Sequence, residues 1–249
     1  ALAAATPTSP LTIDTFDPGG LAYTSGTTGF PKGVVHSHHN LLVPGAAVNA
    51  ARGYGPELRK ADCLALTILN MQVLSTLLVA QAQGTAIVMD RVDPQGVVEW
   101  IEAERPTTFN GVPTMLHGLA HDASISADAL ESLREVWTGG ADCPPAIRDA
   151  FESKFAKRIY GTYGLTEAPT IVTQDPIDGV RKPGASGIPL PHLKVDIVDK
   201  NGADCAPGEV GEVCVSAVTD GEWANVYRPM LGYWRNDDAT AKALPGSAR

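Results

Sequence analysis

The chain has 249 residues, of which 44% are hydrophobic and 19% charged, and a formal net charge of −9. That length allows one large or two smaller domains around a substantial core, and the composition excludes a disordered or fibrous chain. The acidic balance argues against a general surface for nucleic acid or anionic membrane, while leaving room for a local basic site that holds a phosphorylated ligand.

Cys63, Cys143, Cys205 and Cys214 are scattered and form no CxxC pair. They predict buried thiols in a reducing compartment rather than disulfides or zinc. No apolar run approaches membrane-spanning length, and Ala1-Leu-Ala-Ala-Ala5 lacks the basic segment and h-region of a signal peptide. A cytoplasmic protein without a membrane partner is expected.

Residues 1–20 are rich in Pro, Thr and small side chains and read as a linker-like segment. Leu21–Ser25 reads as a buried strand that enters a loop dense in glycine and hydroxyl groups, with Lys32 at its far side and Val34-Val35 leaving it. Gly26, Gly29 and Gly33 let this backbone approach a ligand closely, and Ser25, Thr27, Thr28 and Lys32 suit polyphosphate oxygens. The spacing is not that of a Walker A loop.

Ser37 is a predicted N-cap for a helix to about Ala51, strained or kinked by Pro44. Cys63–Leu69 reads as a strand, Met71–Gln83 as an apolar helix closed by Gly84, and Thr85–Met89 as a buried strand. Asp93-Pro94 opens a helix to about Glu104. Thr107–Asn110, Glu135–Thr138 and Arg158–Tyr160 read as strands, and Pro113–Ala120, Ser126–Leu133 and Pro144–Phe155 as helices.

This alternation predicts an α/β fold with a mostly parallel sheet covered by helices on both faces. After about Asp175 the texture changes to alternating strands, Val195–Val198 and Glu212–Ser216, with turns at Asp199-Lys-Asn-Gly202 and Ala206-Pro-Gly208. A small antiparallel, β-barrel-like subdomain is expected there. The boundaries predicted are 1–20 for the linker, 21–178 for the α/β part and 179–249 for the small β part.

Tyr23-Thr-Ser-Gly-Thr-Thr-Gly-Phe-Pro-Lys-Gly33 resembles the phosphate loop of the adenylate-forming acyl-CoA synthetase superfamily. Thr138-Gly-Gly-Ala141, Tyr160-Gly-Thr-Tyr-Gly-Leu-Thr-Glu167, Gly187-Ile-Pro-Leu-Pro191, Gly208-Glu-Val-Gly-Glu-Val213 and Gly232-Tyr-Trp-Arg-Asn236 follow in that family's order. The resemblance implies activation of a carboxylic acid by ATP, with release of pyrophosphate, and capture of the acyl adenylate by coenzyme A or, alternatively, by a carrier protein. A non-catalytic nucleotide- or acyl-binding homologue is the reading from a different class.

By the same resemblance, Thr24, Ser25, Gly26, Thr27, Thr28, Gly29 and Lys32 would hold the β- and γ-phosphates. Thr166 would bond the α-phosphate, and Glu167 would bind Mg²⁺, a cation that prefers oxygen ligands. Tyr163 and Gly164, with Gly139, Gly140 and Ala141, would receive adenine; Tyr163 as a plain core aromatic is the bland alternative. Asn70, Met71, Val112, Gly139, Gly161 and Thr162 are the expected acyl-pocket residues. His36, His38 and His39 lack the accompanying ligand pair of a zinc site, and His38 and Asn40 are expected to pin the loop. Gly232-Tyr233-Trp234 reads as packing rather than chemistry.

Asn70 stands where the family commonly has a histidine near the acyl pocket, and Asn cannot change charge near neutral pH. The family's Thr-Gly-Asp motif, its mobile C-terminal domain with a catalytic lysine, and the long segment ahead of the phosphate loop have no counterpart among these residues. The 249 residues are therefore expected to be the middle of a longer enzyme and to adenylate poorly alone. The segments 64–89, 108–119, 137–141 and 159–173 contain no Lys or Arg, and the first three no Asp or Glu. A second carboxylate or an α-ammonium group would lack a counter-ion there, so an apolar aryl, alicyclic or medium-chain monocarboxylate is the expected acid.

Overall fold

The computed structural model describes residues 11–24 and 30–244. Strands β1 (Pro18–Thr24) and β2 (Lys32–Ser37) form an antiparallel hairpin with Thr24 opposite Lys32. The expectation of a buried first strand is corrected: Leu21 is 48% and Tyr23 64% exposed, whereas Val34 of β2 is fully buried. Helix α1 (His38–Arg52) starts as predicted, with Ser37 Oγ accepting the Asn40 N–H at 3.2 Å, and it continues through Pro44.

Strand β3 is Arg59–Asp62, ahead of the expected Cys63–Leu69. Its charged residues concealed it: Lys60 and Asp62 lie two apart on one face and neutralise each other in the interior, with Nζ 2.8 Å from Oδ2. The single apolar helix expected next is instead α2 (Leu69–Met71), a π-helical turn at Gln72–Leu77, and α3 (Leu78–Ala82). Gln83, not Gly84, takes the left-handed position that ends it, at φ +58°. Gly84 serves a close approach, since a Cβ there would meet the Leu58 carbonyl oxygen at 2.6 Å.

Strand β4 (Thr85–Val88), α4 (Pro94–Glu104), β5 (Thr108–Asn110), α5 (Pro113–His121), β6 (Glu135–Thr138) and α6 (Pro145–Phe155) follow the predicted order. Asp93 Oδ1 caps α4 by accepting the Gly96 N–H at 3.0 Å. The helix expected at Ser126–Leu133 is a run of turns with bonds three residues apart. There the Ser126 hydroxyl donates to Asp128, a local bond that competes with helix formation.

Strands β7 (Ile159–Leu165), β8 (Ala168–Gln174) and β9 (Ile188–Pro189) complete a seven-stranded sheet of order β4-β3-β5-β6-β7-β8-β9. The first five strands in that order run parallel, and β8 and β9 are antiparallel. Alternation along β6 and β7 divides two cores. Val136 and Ile159 face one built from α4, α5 and α6, while Trp137 and Tyr160 face another built from α1, α3 and the π-helical turn.

The antiparallel region contains the ribbon β10 (Leu193–Val198) with β11 (Glu212–Ala217). Strand β12 (Gly232–Tyr233) returns to the front of the chain and pairs with β2, with Tyr233 opposite Val34. Helix α7 (Asp237–Ala243) follows, capped by Asn236. Among the described residues, no helix is long and apolar enough to cross a membrane.

Candidate functional site

Three pieces of chain converge. The first is the β1–β2 hairpin, whose register places Thr24 and Lys32 at the ends of the connection 25–31. Ser25, Gly26, Thr27, Thr28 and Gly29, named above for the phosphate loop, lie outside the described residues. Thr24 Oγ1 is buried and has no hydrogen-bond partner among the described residues.

The second piece is the β7–β8 hairpin. A strand at Arg158–Tyr160 followed by a polar loop was expected; instead the strand continues to Leu165 and turns back at once, so Thr166 and Glu167 form the tip. The register slips between Tyr163 and Leu165. Gly164 is required at this bulge, because any side chain there would run into the main chain at Thr170, itself a non-glycine residue at φ +68°. A β-branched residue in that region is strained, and it lies beside the tip.

The third piece is β12. Tyr233 OH donates to Glu167 Oε1 at 2.6 Å, and Lys32 Nζ donates to the same hydroxyl at 3.4 Å and sits 4.5 Å from the ring centre. The Tyr233 ring packs with Val34 and Met230, as read, and its hydroxyl also joins Lys32 to Glu167. Burial and then the Glu167 carboxylate push its hydroxyl pKa well above the ordinary value, so the phenol remains a donor. Only its spacing from Gly232 and Trp234 was visible in sequence; its partner is 66 residues away.

The tip is also held from behind. His36 Nε2 donates to the Thr166 carbonyl at 2.7 Å, and Asn40 Nδ2 lies 3.4 Å from His36 Nδ1 while donating to the Pro229 carbonyl at 2.7 Å. A carbonyl can only accept, so the ring is the Nε2–H tautomer with Nδ1 as acceptor. Burial lowers the His36 pKa and keeps it neutral. His36 and Asn40 thus hold this tip, whereas the loop that His38 and Asn40 were expected to pin lies largely outside the described residues; His39 turns to the Val226 carbonyl.

A cleft of about 600 Å³ opens beside this tip. Gly140, Ala141, Gly161, Thr162, Tyr163 and Gly164 line it, so the proposed adenine residues and part of the proposed acyl residues share one space. Gly140 has φ +78°. Gly139 lies at the edge, where an added Cβ would overlap Thr162 Oγ1. Tyr163 is 37% exposed, too open for a core aromatic.

Asn70, Met71 and Val112 are not in the lining of this cleft. Asn70 Oδ1 is nevertheless buried without a partner among the described residues, directly ahead of the π-helical turn. The cleft also receives Arg148, Arg181 and Lys182 from outside the segments considered above. Two are committed: Arg148 Nη1 is 3.2 Å from Asp175 Oδ2, and Arg181 Nη1 is 2.7 Å from Glu152 Oε1.

Asp175 clasps the start of the tip-bearing strand. Its Oδ2 accepts the Gly161 N–H at 2.8 Å and its own N–H donates to the Gly161 carbonyl at 2.9 Å. Arg52 supports it, with Nη2 2.6 Å from the Asp175 carbonyl and Nε 2.9 Å from Gln174 Oε1. Arg52 Nη1 is 3.3 Å from Glu135 Oε2, an ionic contact without hydrogen-bond geometry.

Lys32, Tyr233 and Glu167 thus meet where the two hairpins join, and the glycine-lined cleft lies along the ends of β6 and β7, with none of those three residues in its lining. Residues 3–228 match the model of the AMP-binding enzyme family, and the chain belongs to that family. It is 35% identical over 229 residues to a feruloyl-CoA synthase of an Amycolatopsis species, covering 90% of this chain and 44% of that protein. It is 30% identical over 245 residues to a long-chain-fatty-acid–CoA ligase of Bacillus subtilis, covering 95% of this chain and 42% of that one. A solved malonyl-CoA ligase, in complex with methylmalonyl-CoA and AMP, superposes with a TM-score of 0.80 at 28% identity, over 94% of this chain and 48% of that one. The chain thus spans less than half the length of these relatives.

Proposed function

We propose that this chain is the nucleotide- and acyl-binding part of an AMP-forming acid–thiol ligase, which joins a carboxylic acid to ATP as an acyl adenylate and passes the acyl group to coenzyme A. The observation that carries this reading is the line Lys32–Tyr233–Glu167, with Thr166 beside it, which links the loop-bearing hairpin to the carboxylate.

A carboxylate is a weak nucleophile and repels ATP, so the site must screen charge and align the attacking oxygen with the α-phosphorus and the departing pyrophosphate. Lys32 and the hydroxyls of the connection 25–31 would bind the β- and γ-phosphates. The Thr166 hydroxyl, which makes no hydrogen bond among the described residues, would bond the α-phosphate. Tyr163 would stack on adenine, with Gly139, Gly140 and Ala141 allowing the base to lie against main chain. The oxygen-only set of Glu167 and Thr166 fits Mg²⁺, which keeps several waters and takes phosphate oxygens. Glu167 would hold this cation, whose bound charge would stabilise that developing on the phosphates.

For the acid, we infer an apolar monocarboxylate. The malonyl-CoA ligase acts on a diacid; here two of the three cations in the cleft, Arg148 and Arg181, are engaged by Asp175 and Glu152, and Lys182 is the one left to meet a second carboxylate if the acid carries one. The test is hydroxamate trapping and pyrophosphate exchange on the polypeptide the cell makes, with ATP, Mg²⁺ and a panel of acids. Acid-dependent AMP formation with an aryl, alicyclic or medium-chain acid supports the reading. Preference for a diacid or amino acid overturns the substrate class, and absence of acid-dependent turnover overturns the reaction. The acceptor is assigned by supplying coenzyme A or a phosphopantetheinylated carrier protein to the loaded enzyme.

A further inference from the structure

Glu167 stands at a hairpin tip, where an unsupported carboxylate would sample several rotamers. It is held twice by one segment. Tyr233 OH engages Oε1 at 2.6 Å, and the Met230 N–H donates to the Glu167 carbonyl at 3.1 Å. Oε2 has no hydrogen-bond partner among the described residues. The segment is itself fixed to the loop-bearing strand: Leu231 N–H donates to the Val35 carbonyl at 2.8 Å and Trp234 N–H to the Gly33 carbonyl at 2.7 Å. The Tyr233 N–H donates to Thr240 Oγ1 at 2.9 Å, and the residue is 7% exposed. The phenol oxygen faces the Lys32 ammonium, which polarises its O–H toward the carboxylate.

We propose that Tyr233 is a positioning residue for metal-dependent nucleotide binding: it occupies Oε1 of Glu167 and so presents Oε2, with the full carboxylate charge, to a hard divalent cation beside the phosphates. This rests on the reading of Glu167 as the metal ligand. A neutral phenol suits the task better than a cation would, because it orients the carboxylate without cancelling its charge. The same contact makes the metal site depend on β2, so the strand that carries Lys32 and the carboxylate that takes the cation are set in one frame.

The test uses the polypeptide the cell makes and its Tyr233→Phe variant, which removes one hydroxyl and keeps the ring against Val34 and Met230. ATP binding is measured by calorimetry over a series of Mg²⁺ concentrations, AMP binding without metal serves as reference, and Mn²⁺ binding to the ATP-saturated protein is followed by electron paramagnetic resonance. Y233F is expected to weaken the metal-dependent component about 10-fold, the usual effect of removing a support behind a metal ligand, and to leave metal-free AMP binding unchanged. In a Glu167→Gln background the same substitution should add no further loss. Equal Mg²⁺ dependence in Y233F and the unaltered chain would overturn this inference alone. Equal weakening of AMP and Mg²⁺–ATP, or an undiminished effect in the E167Q background, would reduce Tyr233 to a brace and also overturn it. Absence of Mg²⁺-dependent ATP binding in the unaltered chain would overturn the functional reading together with it.

Discussion

His36 Nε2 and the main-chain oxygen of Thr166 meet at 2.7 Å across 130 residues of sequence. One imidazole therefore registers the loop-bearing hairpin against the tip that carries Thr166 and Glu167. His36→Ala leaves a buried carbonyl and the Asn40 amide without their partner, at a cost of about 1–3 kcal/mol. The expected outcome is a lower urea midpoint together with weaker ATP binding. A destabilised protein that binds ATP as tightly as before would show that the tip is set by other contacts.

Arg52 is almost fully buried and reaches Glu135, Gln174 and Asp175 with one guanidinium, over the rings of Tyr160 and Trp137. Its planar fork has no equivalent in lysine. Arg52→Met keeps the length and removes the charge, so Gln174 Oε1 and the Asp175 carbonyl lose their donor while Glu135 keeps its bond from Trp137 Nε1; about 1–3 kcal/mol of stability should be lost. Arg52→Lys should recover less than half of that. Equilibrium urea denaturation of the three proteins decides it.

At Gly139 a side chain has no room, because Thr162 Oγ1 occupies the place of its Cβ while donating to the Thr138 carbonyl at 3.1 Å. Gly139→Ala should cost about 1–3 kcal/mol through overpacking. Thr162→Ala in that background should restore part of it, which a double-mutant cycle reads directly as a coupling between the two positions. Additive losses would contradict the crowding.

His192 is buried beside the rings of Trp223 and Tyr227, with Nδ1 unpartnered among the described residues. Burial, with a smaller contribution from the charge of His39, pushes its pKa down to about 4 from the ordinary 6.5. Between those values the unfolded chain binds more protons than the folded one. Stability is therefore full above about pH 6.5 and falls as the pH drops toward 4, by at most about 3 kcal/mol from this residue. His36 acts in the same direction. Thermal midpoints measured from pH 7.5 to 5 should decline, and His192→Phe should flatten the slope. An unchanged slope would assign the pH dependence elsewhere.

Much of the frame was legible because local signals and burial agree. Asp93-Pro94 starts α4, Ser37 starts α1, and Glu135–Thr138 is a strand in sequence and structure alike. The misses have physical causes. Strand β3 escaped because a buried Lys60–Asp62 pair looks like surface until each charge is seen to have the other. The Thr166–Glu167 tip was taken for the edge of a loop because its turn depends on β8, and the bulge at Gly164 has no local signature. Tyr233 was set aside because its meaning comes from Lys32 and Glu167, neither of them near in sequence. The glycines of the cleft could be found from the chain alone, whereas Arg148, Arg181 and Lys182 enter it only through folding.

Pairing of β12 with β2 also governs the order in which the molecule is made. The β1–β2 hairpin closes a short connection, but Lys32 and Tyr233 are 201 residues apart. Closing a flexible loop of that size costs on the order of 5 kcal/mol in chain entropy, and contacts at such separation form late. During refolding, helical signal should therefore return before nucleotide binding does, and a nascent chain would expose Glu167 without its phenol until synthesis had passed Tyr233, 66 residues later.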